Sequence, residues 1–322
     1  MRTYNIWFDA EEKGKPIEKI VYNFDSSDIY KFSDNLNQAV ISVWNKKLEE
    51  NPKMTNEPLF NLRYVNNHDL TEVLVGQTCF RDYLVAREFL DGKQSASEYN
   101  LVQSDLDFLE GEIIAASTFP IVTLEDKFVM GIKGQRVSTG AGKLSFPGAG
   151  YSNIEKDTIK DEQGKLYAIP PGVVFGREIN EEMSIIPNPN EITALGIIGD
   201  TYKGSNRGMG LLAIVGTDIS VSELKARKEI AEDAWEHEGP YWLIPKDAEI
   251  ISALIESEKE HGNKPLDEKI AKEIDGIGET RLTSMTGKAS IALFFLGRNL
   301  FGNDWYNKEL SKHESHIKLE DV

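Results

Sequence analysis

Hydrophobic residues recur along this chain with two different periods, and the changes of period mark its expected elements. Thr3 to Asp9 and Ile17 to Phe24 are rich in β-branched and aromatic residues and read as strands. Leu36, Val40, Val43 and Leu48 then fall near helical spacing and predict a helix over Asp34 to Glu50. Leu59 to Val65 and Leu70 to Gly76, joined by Asn66-Asn67-His68-Asp69, predict a hairpin, and Ile121 to Gly134 reads as strand, turn, strand. Glu191 to Gly199 and Gly208 to Gly216 predict paired strands joined by a loop carrying Lys203 and Arg207. A polar helix over Val221 to Ala231, a strand at Tyr241 to Ile244, and helices over Ala248 to Glu258 and Ser284 to Leu296 follow. Glu260 to Glu279, charged and glycine-containing, reads as a surface insertion. This order predicts an α/β protein with a mixed sheet flanked by helices, preceded by a small α+β unit. The polar stretch between Asp91 and Asp107 sets the expected division: a unit over 1–105, a main domain over 106–300 and a tail over 301–322.

One helix carries unusual chemistry. In Arg177-Glu178-Ile179-Asn180-Glu181-Glu182-Met183-Ser184-Ile185, the three glutamates share an arc of roughly 100°, beside an apolar stripe of Phe175, Ile179 and Met183. Like charges one turn apart repel by a few tenths of a kcal/mol, a cost that a hard divalent cation would turn into binding. With 53 acidic residues among 322, the bare spacing arises by chance in about 0.15 of such chains, so a solvated acidic face remains open as the plain alternative. The setting bears on the choice. Upstream lie Arg136, a glycine-rich loop and Leu144-Ser145-Phe146-Pro147-Gly148-Ala149-Gly150, and Pro170-Pro171-Gly172 opens the helix. Gly148 and Gly150 can adopt backbone conformations that bring amides or carbonyls close to an ion or phosphate.

These segments together resemble the Nudix hydrolase family, whose signature is G-x5-E-x7-R-E-U-x-E-E-x-G-U with U a bulky aliphatic. Arg177, Glu178, Ile179, Glu181, Glu182 and Ile185 match its second half, and Phe146 to Gly150 is similar to its entry turn. About fourteen extra residues intervene, Ile169 occupies the first glutamate position counted from the arginine, Glu155 lies near it counted from the glycines, and Ser184 replaces the closing glycine. Cys79 to Leu84 and Thr286 to Leu293 are further similar to segments of the family's animal UDP-glucose and UDP-galactose pyrophosphatases, a likeness spanning about residues 76 to 298. The resemblance implies an α/β/α sandwich and a Mg²⁺- or Mn²⁺-dependent pyrophosphohydrolase. Its substrate would be a nucleoside diphosphate linked to another group, a UDP-sugar or ADP-ribose. It also implies that Glu178, Glu181 and Glu182 bind metal, with Glu178 activating water, the Ala149 carbonyl as an extra ligand, and Arg177 holding a carboxylate by a bidentate pair. A later loop of the family often adds a carboxylate, here Glu236 or Glu238, with Glu238 favoured beside its turn. Arg81, Arg136 and Arg207 are candidates to bind phosphate or sugar, or else surface ion pairs. Trp235 and Tyr241 are candidates to stack on a base, or else packing residues.

Composition narrows the partners. At 40% hydrophobic the chain can bury a sizeable core, while its net charge of −17 argues against nucleic acid, where many phosphates must be neutralised. A small phosphorylated ligand would need local cations. The single Cys79 and the absence of a leader-like or membrane-length apolar run predict a cytoplasmic protein with no membrane contact, compatible with a homodimer. Cys79 reads as a small packing residue before a nucleophile. Gly287-Lys288-Ala289-Ser290 ends like a phosphate loop, yet position 282 is Leu and Ala289 replaces the hydroxyl residue. His313 and His316 lie one helical turn apart without a third ligand and read as a solvated tail. A non-catalytic Nudix-fold binding or regulatory module, or an interaction protein that presents acidic residues to a basic partner, are the rival readings.

Overall fold

The computed structural model describes residues 2–10, 13–65, 71–137, 141–201, 208–259, 268–274, 285–313 and 317–321. In chain order its strands are β1 (Arg2–Asp9), β2 (Lys15–Pro16), β3 (Val21–Phe24), β4 (Pro58–Val65), β5 (Glu72–Cys79), β6 (Ala116–Leu124), β7 (Lys127–Lys133) and β8 (Leu144–Ser145). After these come β9 (Thr158–Lys160), β10 (Leu166–Ala168), β11 (Ile192–Thr201), β12 (Met209–Thr217), β13 (His237–Pro245) and β14 (Ile317–Asp321). The helices are α1 (Asp34–Glu50), α2 (Phe80–Leu90), α3 (Gln103–Glu112), α4 (Pro171–Met183), α5 (Val221–Lys228), α6 (Ala248–Lys259), α7 (Glu268–Glu273) and α8 (Gly287–His313).

The main sheet runs β13-β7-β6-β12-β11-β1-β14, with β2 added on β11 and β8 on β7. It is mixed, because β6 and β12 pair parallel while β11 and β12 pair antiparallel. Strand alternation feeds a core on each face. Phe119, Ile121, Phe128 and Met130 pack on one side with the buried residues of α6 and α8, whereas Val122, Leu124 and Val129 pack on the other with α4 and Leu224 of α5. The sheet therefore has helices on both faces, as the α/β expectation required.

A smaller three-stranded sheet, β3-β5-β4, lies with α1, α2 and α3. Its helix over Asp34–Glu50 and the antiparallel pairing of β4 with β5 follow the sequence pattern. Residues 66–70 between those strands lie outside the described residues. Ile17 to Phe24 divides instead into a 3-10 turn at Ile17–Lys19 and then β3, because Ile17 and Ile20, three apart, are both buried on the same side of a turn. Sheet pairing also crosses the expected divisions at 105 and 300. β1 joins β11 in the main sheet, β14 runs parallel beside β1, and α8 extends past Leu296 to His313, with a break at Gly302 where φ is 85°.

His313 is not a solvated residue. It is buried, with its ring 5.8 Å from that of Phe294, because the last turns of α8 fold back on the core; His316 lies outside the described residues. Residues 260–267 and 275–284, most of the expected surface insertion, are also outside them.

Candidate functional site

The site begins with the way α4 is pinned. Pro171 occupies its first turn, where the missing N–H and fixed φ do no harm. Val174, Phe175, Ile179 and Met183 are completely buried, and each such side chain contributes about 1.5–3 kcal/mol. That packing sets the rotation of the helix. Residues 178 and 182 share a face one turn apart, and both are carried inward, at 8% and 3% exposure. Two of the three glutamates are therefore buried rather than spread over a solvated acidic face. Ser184 ends the helix in the left-handed region at φ 55°, where a residue other than glycine costs on the order of 1 kcal/mol. Arg227 of α5 donates to its carbonyl at 2.8 Å and ties the helix end down.

The turn over Phe146 to Gly150 supplies the opposite wall. The Gly148 amide donates to Glu182 Oε2 at 2.8 Å. Gly148 sits at φ +81°, and a Cβ there would come within 2.8 Å of Ile179 Cγ1. A Cβ on Gly150 would lie 1.7 Å from Glu178 Oε2, so only glycine admits that carboxylate. Ala149 thus lies between the two glycines that touch the two buried carboxylates. The turn is anchored to β6 by the Thr118 amide, which donates to the Gly150 carbonyl at 2.9 Å.

Arg177 organises the other side. Its Nε and Nη2 grip the two oxygens of Asp157 at 2.9 and 2.8 Å, while Nη1 reaches Glu178 Oε1 at 2.7 Å and Glu181 Oε2 at 3.1 Å. The bidentate partner is therefore Asp157 and not a carboxylate of the helix itself. Asp157 is completely buried and also accepts from the Asn153 amide at 2.7 Å. The extra residues between the glycines and Arg177 fold back and deliver it. Glu155, two positions earlier, is exposed. The pattern of signature residues could not point to Asp157, since it is an aspartate at neither counted position; its one sequence signal is an acid within the inserted stretch.

Charge balance differs across this cluster. Glu181 has both Arg177 and Lys156, whose Nζ is 3.3 Å away. Burial pushes the Glu178 carboxyl up to about 8, against the lowering influence of Arg177 and with further raising by Glu181, Glu182 and Asp157. Burial also raises Glu236 to about 7, followed by repulsion from Glu182, with Lys133 opposing. Of the two later candidates it is Glu236 that faces the cluster. Glu238 is exposed and accepts from the Gln135 amide at 2.9 Å. His237 between them is buried, with Nδ1 3.2 Å from Glu182 Oε2 but not aligned for a hydrogen bond. Tyr241 is buried too, its hydroxyl donating to the Glu182 carbonyl at 3.0 Å. It packs beneath the helix end and offers no stacking face there.

The donor chemistry, clustered carboxylate oxygens with Glu178 cradled by Gly150, suits a hard cation, but burial holds Glu178 toward its protonated form, so a cation would bind by displacing that proton. Among the described residues, however, no group of three or more His, Cys, Asp or Glu is arranged to hold a metal ion. Glu178 and Glu182 would furnish part of a coordination sphere whose remainder comes from water and phosphate oxygens, a pattern usual for Mg²⁺.

The other candidates are scattered. Arg81 pairs with Asp82 at 2.7 Å on α2. Arg136 is exposed on the loop after β7, where Gly134 donates to the Glu236 carbonyl at 2.7 Å. Arg207 lies outside the described residues. The Cys79 thiol is pushed up to about 11 by burial and by Asp82, which disfavours the thiolate a nucleophile needs. No described helix is long and apolar enough to cross a membrane.

No family model matches this chain, and no curated protein does. Among solved structures, the crystal structure of a MutT/nudix family protein from Enterococcus faecalis aligns over 70% of this chain and 92% of its own, at 10% identity and a TM-score of 0.27. A likeness at that level carries no argument about the site, and none of the comparisons supports the similarity to UDP-sugar pyrophosphatases.

Proposed function

We propose that the chain is a Nudix-type hydrolase of a diphosphate bond, acting with Mg²⁺ or Mn²⁺ on a nucleoside diphosphate linked to another group and releasing a nucleoside monophosphate. The observation that carries this reading is the burial of Glu178 and Glu182 side by side against the Gly148–Gly150 turn. Buried like charges are costly unless something compensates them. A bound divalent cation would do so and would supply the charge that a diphosphate needs neutralised.

On this reading Glu178 and Glu182 hold the cation, with Glu181 at the margin and the Ala149 carbonyl available between its glycines. Arg177, fixed by Asp157, sets the position of the Glu178 carboxylate. Once a cation has displaced its own proton, Glu178 accepts a proton from the attacking water, while Glu236, in the turn before β13, interacts with Glu182 and with Lys133 of β7. Arg136, exposed on the loop after β7, is a candidate cation for a phosphate.

A second reading is a Nudix-fold nucleotide-binding module without turnover. It is favoured by the absence of a three-residue metal group among the described residues and by the Arg177–Glu178 ion pair at 2.7 Å. Purified protein incubated with UDP-glucose, ADP-ribose and other nucleotide diphosphates, with Mg²⁺, Mn²⁺ or EDTA, separates the two. Metal-dependent release of a nucleoside monophosphate is the expected result. Ligand-induced thermal stabilisation with no product in any metal would replace the hydrolase with the binding module.

A further inference from the structure

Two side chains of β13 converge on Glu182. The Tyr241 hydroxyl donates to its backbone carbonyl at 3.0 Å, and His237 Nδ1 lies 3.2 Å from its Oε2. The two rings stand edge to face with centroids 6.0 Å apart, and Gly131 of β7 makes room for both. A Cβ on Gly131 would come within 2.6 Å of His237 Cδ2 and 3.2 Å of Tyr241 Cδ1. The imidazole is thereby oriented, its Cδ2 edge on the glycine and its Nδ1 edge toward the carboxylate. It is also unsatisfied. His237 is 4% exposed, both ring nitrogens are closed to solvent, and neither has a hydrogen-bond partner among the described residues. Nδ1 is close to Oε2 but out of line with it. A buried imidazole normally has partners for its nitrogens, and leaving them unmet is costly.

Carboxylates that hold metal ions are themselves steadied by hydrogen bonds from behind. Among the described residues the Glu182 carboxylate receives one, from the Gly148 amide at 2.8 Å. We propose that His237 is the positioning residue of Glu182: it carries its proton on Nδ1 and gives that N–H to Oε2 when the carboxylate turns to take a cation. Of the two neutral tautomers only this one presents a donor to the acceptor, whereas the other sets a lone pair against a carboxylate oxygen. The purpose of the contact rests on the hydrolase reading, which assigns that cation to Glu178 and Glu182. With its nitrogens closed off, His237 meets neither substrate nor metal and acts through Glu182.

The test reads the proton and the metal separately. Long-range proton–nitrogen NMR spectra of the full chain in EDTA, with His237→Asn to assign the resonance, should show a proton on Nδ1. An Nδ1 without one overturns the proposal. Titration calorimetry with Mn²⁺ then asks whether the donor matters. His237→Phe keeps a ring beside Gly131 but has no N–H, and should weaken Mn²⁺ roughly ten- to hundredfold. His237→Asn, whose side-chain amide sets an N–H near the place of Nδ1, should stay within about threefold of the unaltered protein. A role in packing alone predicts the opposite order, Phe tolerated and Asn not. That order, or equal loss in both, overturns the proposal, and loss in His237→Asn does so even where His237→Phe fails to fold. The two readings fail differently. A chain that binds no Mn²⁺ yet protonates Nδ1 sinks the hydrolase and leaves His237 orienting Glu182, while Mn²⁺ bound equally by His237→Phe keeps the hydrolase and sinks this role.

Discussion

The two ends of the carboxylate cluster on α4 have the same residue type and opposite electrostatic settlements. At the Arg177 end, Asp157, Glu178 and Glu181 share a guanidinium and Glu181 adds Lys156, so every carboxylate there touches a cation of the chain. At the Glu182 end, the carboxylate meets one backbone amide and an unaligned imidazole, with Glu178 and Glu236 both close enough to repel it. The first arrangement is a brace, complete as it stands. The second is incomplete by at least one cation, and that difference is the physical argument for where a metal and an anionic substrate would go.

The comparison breaks most visibly in turnover. Glu182→Gln should remove a ligand at the incomplete end while keeping the shape and the Gly148 contact, so hydrolysis of the best substrate should fall about 10³-fold, roughly 4 kcal/mol of transition-state stabilisation. Circular dichroism and the urea midpoint should match or exceed those of the unaltered protein, since a repelling buried charge has gone. Unchanged turnover would show that the incomplete end is not where the chemistry happens.

Next in size is the brace. Asp157→Asn leaves the guanidinium of Arg177, only 19% exposed, without its bidentate anion, and breaking a buried pair from one side costs about 3 kcal/mol. Urea denaturation should register that loss whether or not metal is added. A change under roughly 0.5 kcal/mol, the scale of an ordinary surface substitution, would mean that Glu178 and Glu181 can replace Asp157.

What the sequence made legible divides along the same line. Helix α4 and its apolar stripe are local and disclosed by the 3.6-residue period, Pro171 marks its start, and only the resemblance, which sets Ser184 at the signature's closing glycine, points to its end. Also local are β6 with β7 and β11 with β12, short apolar and β-branched runs that read as strands. Asp157 was hidden because its role depends on how an insertion of about fourteen residues closes on itself through Asn153. β1 was legible as a strand but not as a member of the main sheet, since pairing partners almost two hundred residues apart leave no trace in one sequence. Helix α3 begins inside a polar stretch and buries little beyond Asp105 and Leu109, too weak a stripe to be read from its period.

The third effect is a dependence on pH. Glu178 in the folded protein is raised to about 8 from an ordinary 4.5. Between those values the folded state holds a proton that the unfolded state has released, so the metal-free protein should lose stability as pH rises through that window. Glu178→Gln should flatten the decline, and Mn²⁺ should reduce it by competing with the proton. The difference in urea midpoint between the unaltered protein and Glu178→Gln, measured in EDTA at about pH 5 and pH 8, isolates this group from every other titration. A difference that does not change with pH would mean that Glu178 is already ionised and compensated, and would make the two ends of the helix alike.

The smallest effect separates two neighbouring acids. His237 is buried at the start of β13, and Glu238, Gly239 and Pro240 after it are exposed, where the pairing with β7 shifts register. The Glu238 carboxylate caps the Gln135 amide there. Glu236, which precedes the strand in a short 3-10 turn, interacts with Glu182 instead. Proximity to the turn, the ground on which sequence favours Glu238, measures distance along the chain, whereas the bend of the turn decides direction. Glu236→Gln should therefore weaken Mn²⁺ binding several-fold, on the order of 1 kcal/mol for removing one charge from the edge of a partly buried cluster. Glu238→Gln should leave it within error and at most loosen the 134–137 loop. Metal titration of both variants decides it: equal effects would mean that the incomplete end extends across the whole loop, and a larger effect at Glu238 would mean that the loop turns over when a cation arrives.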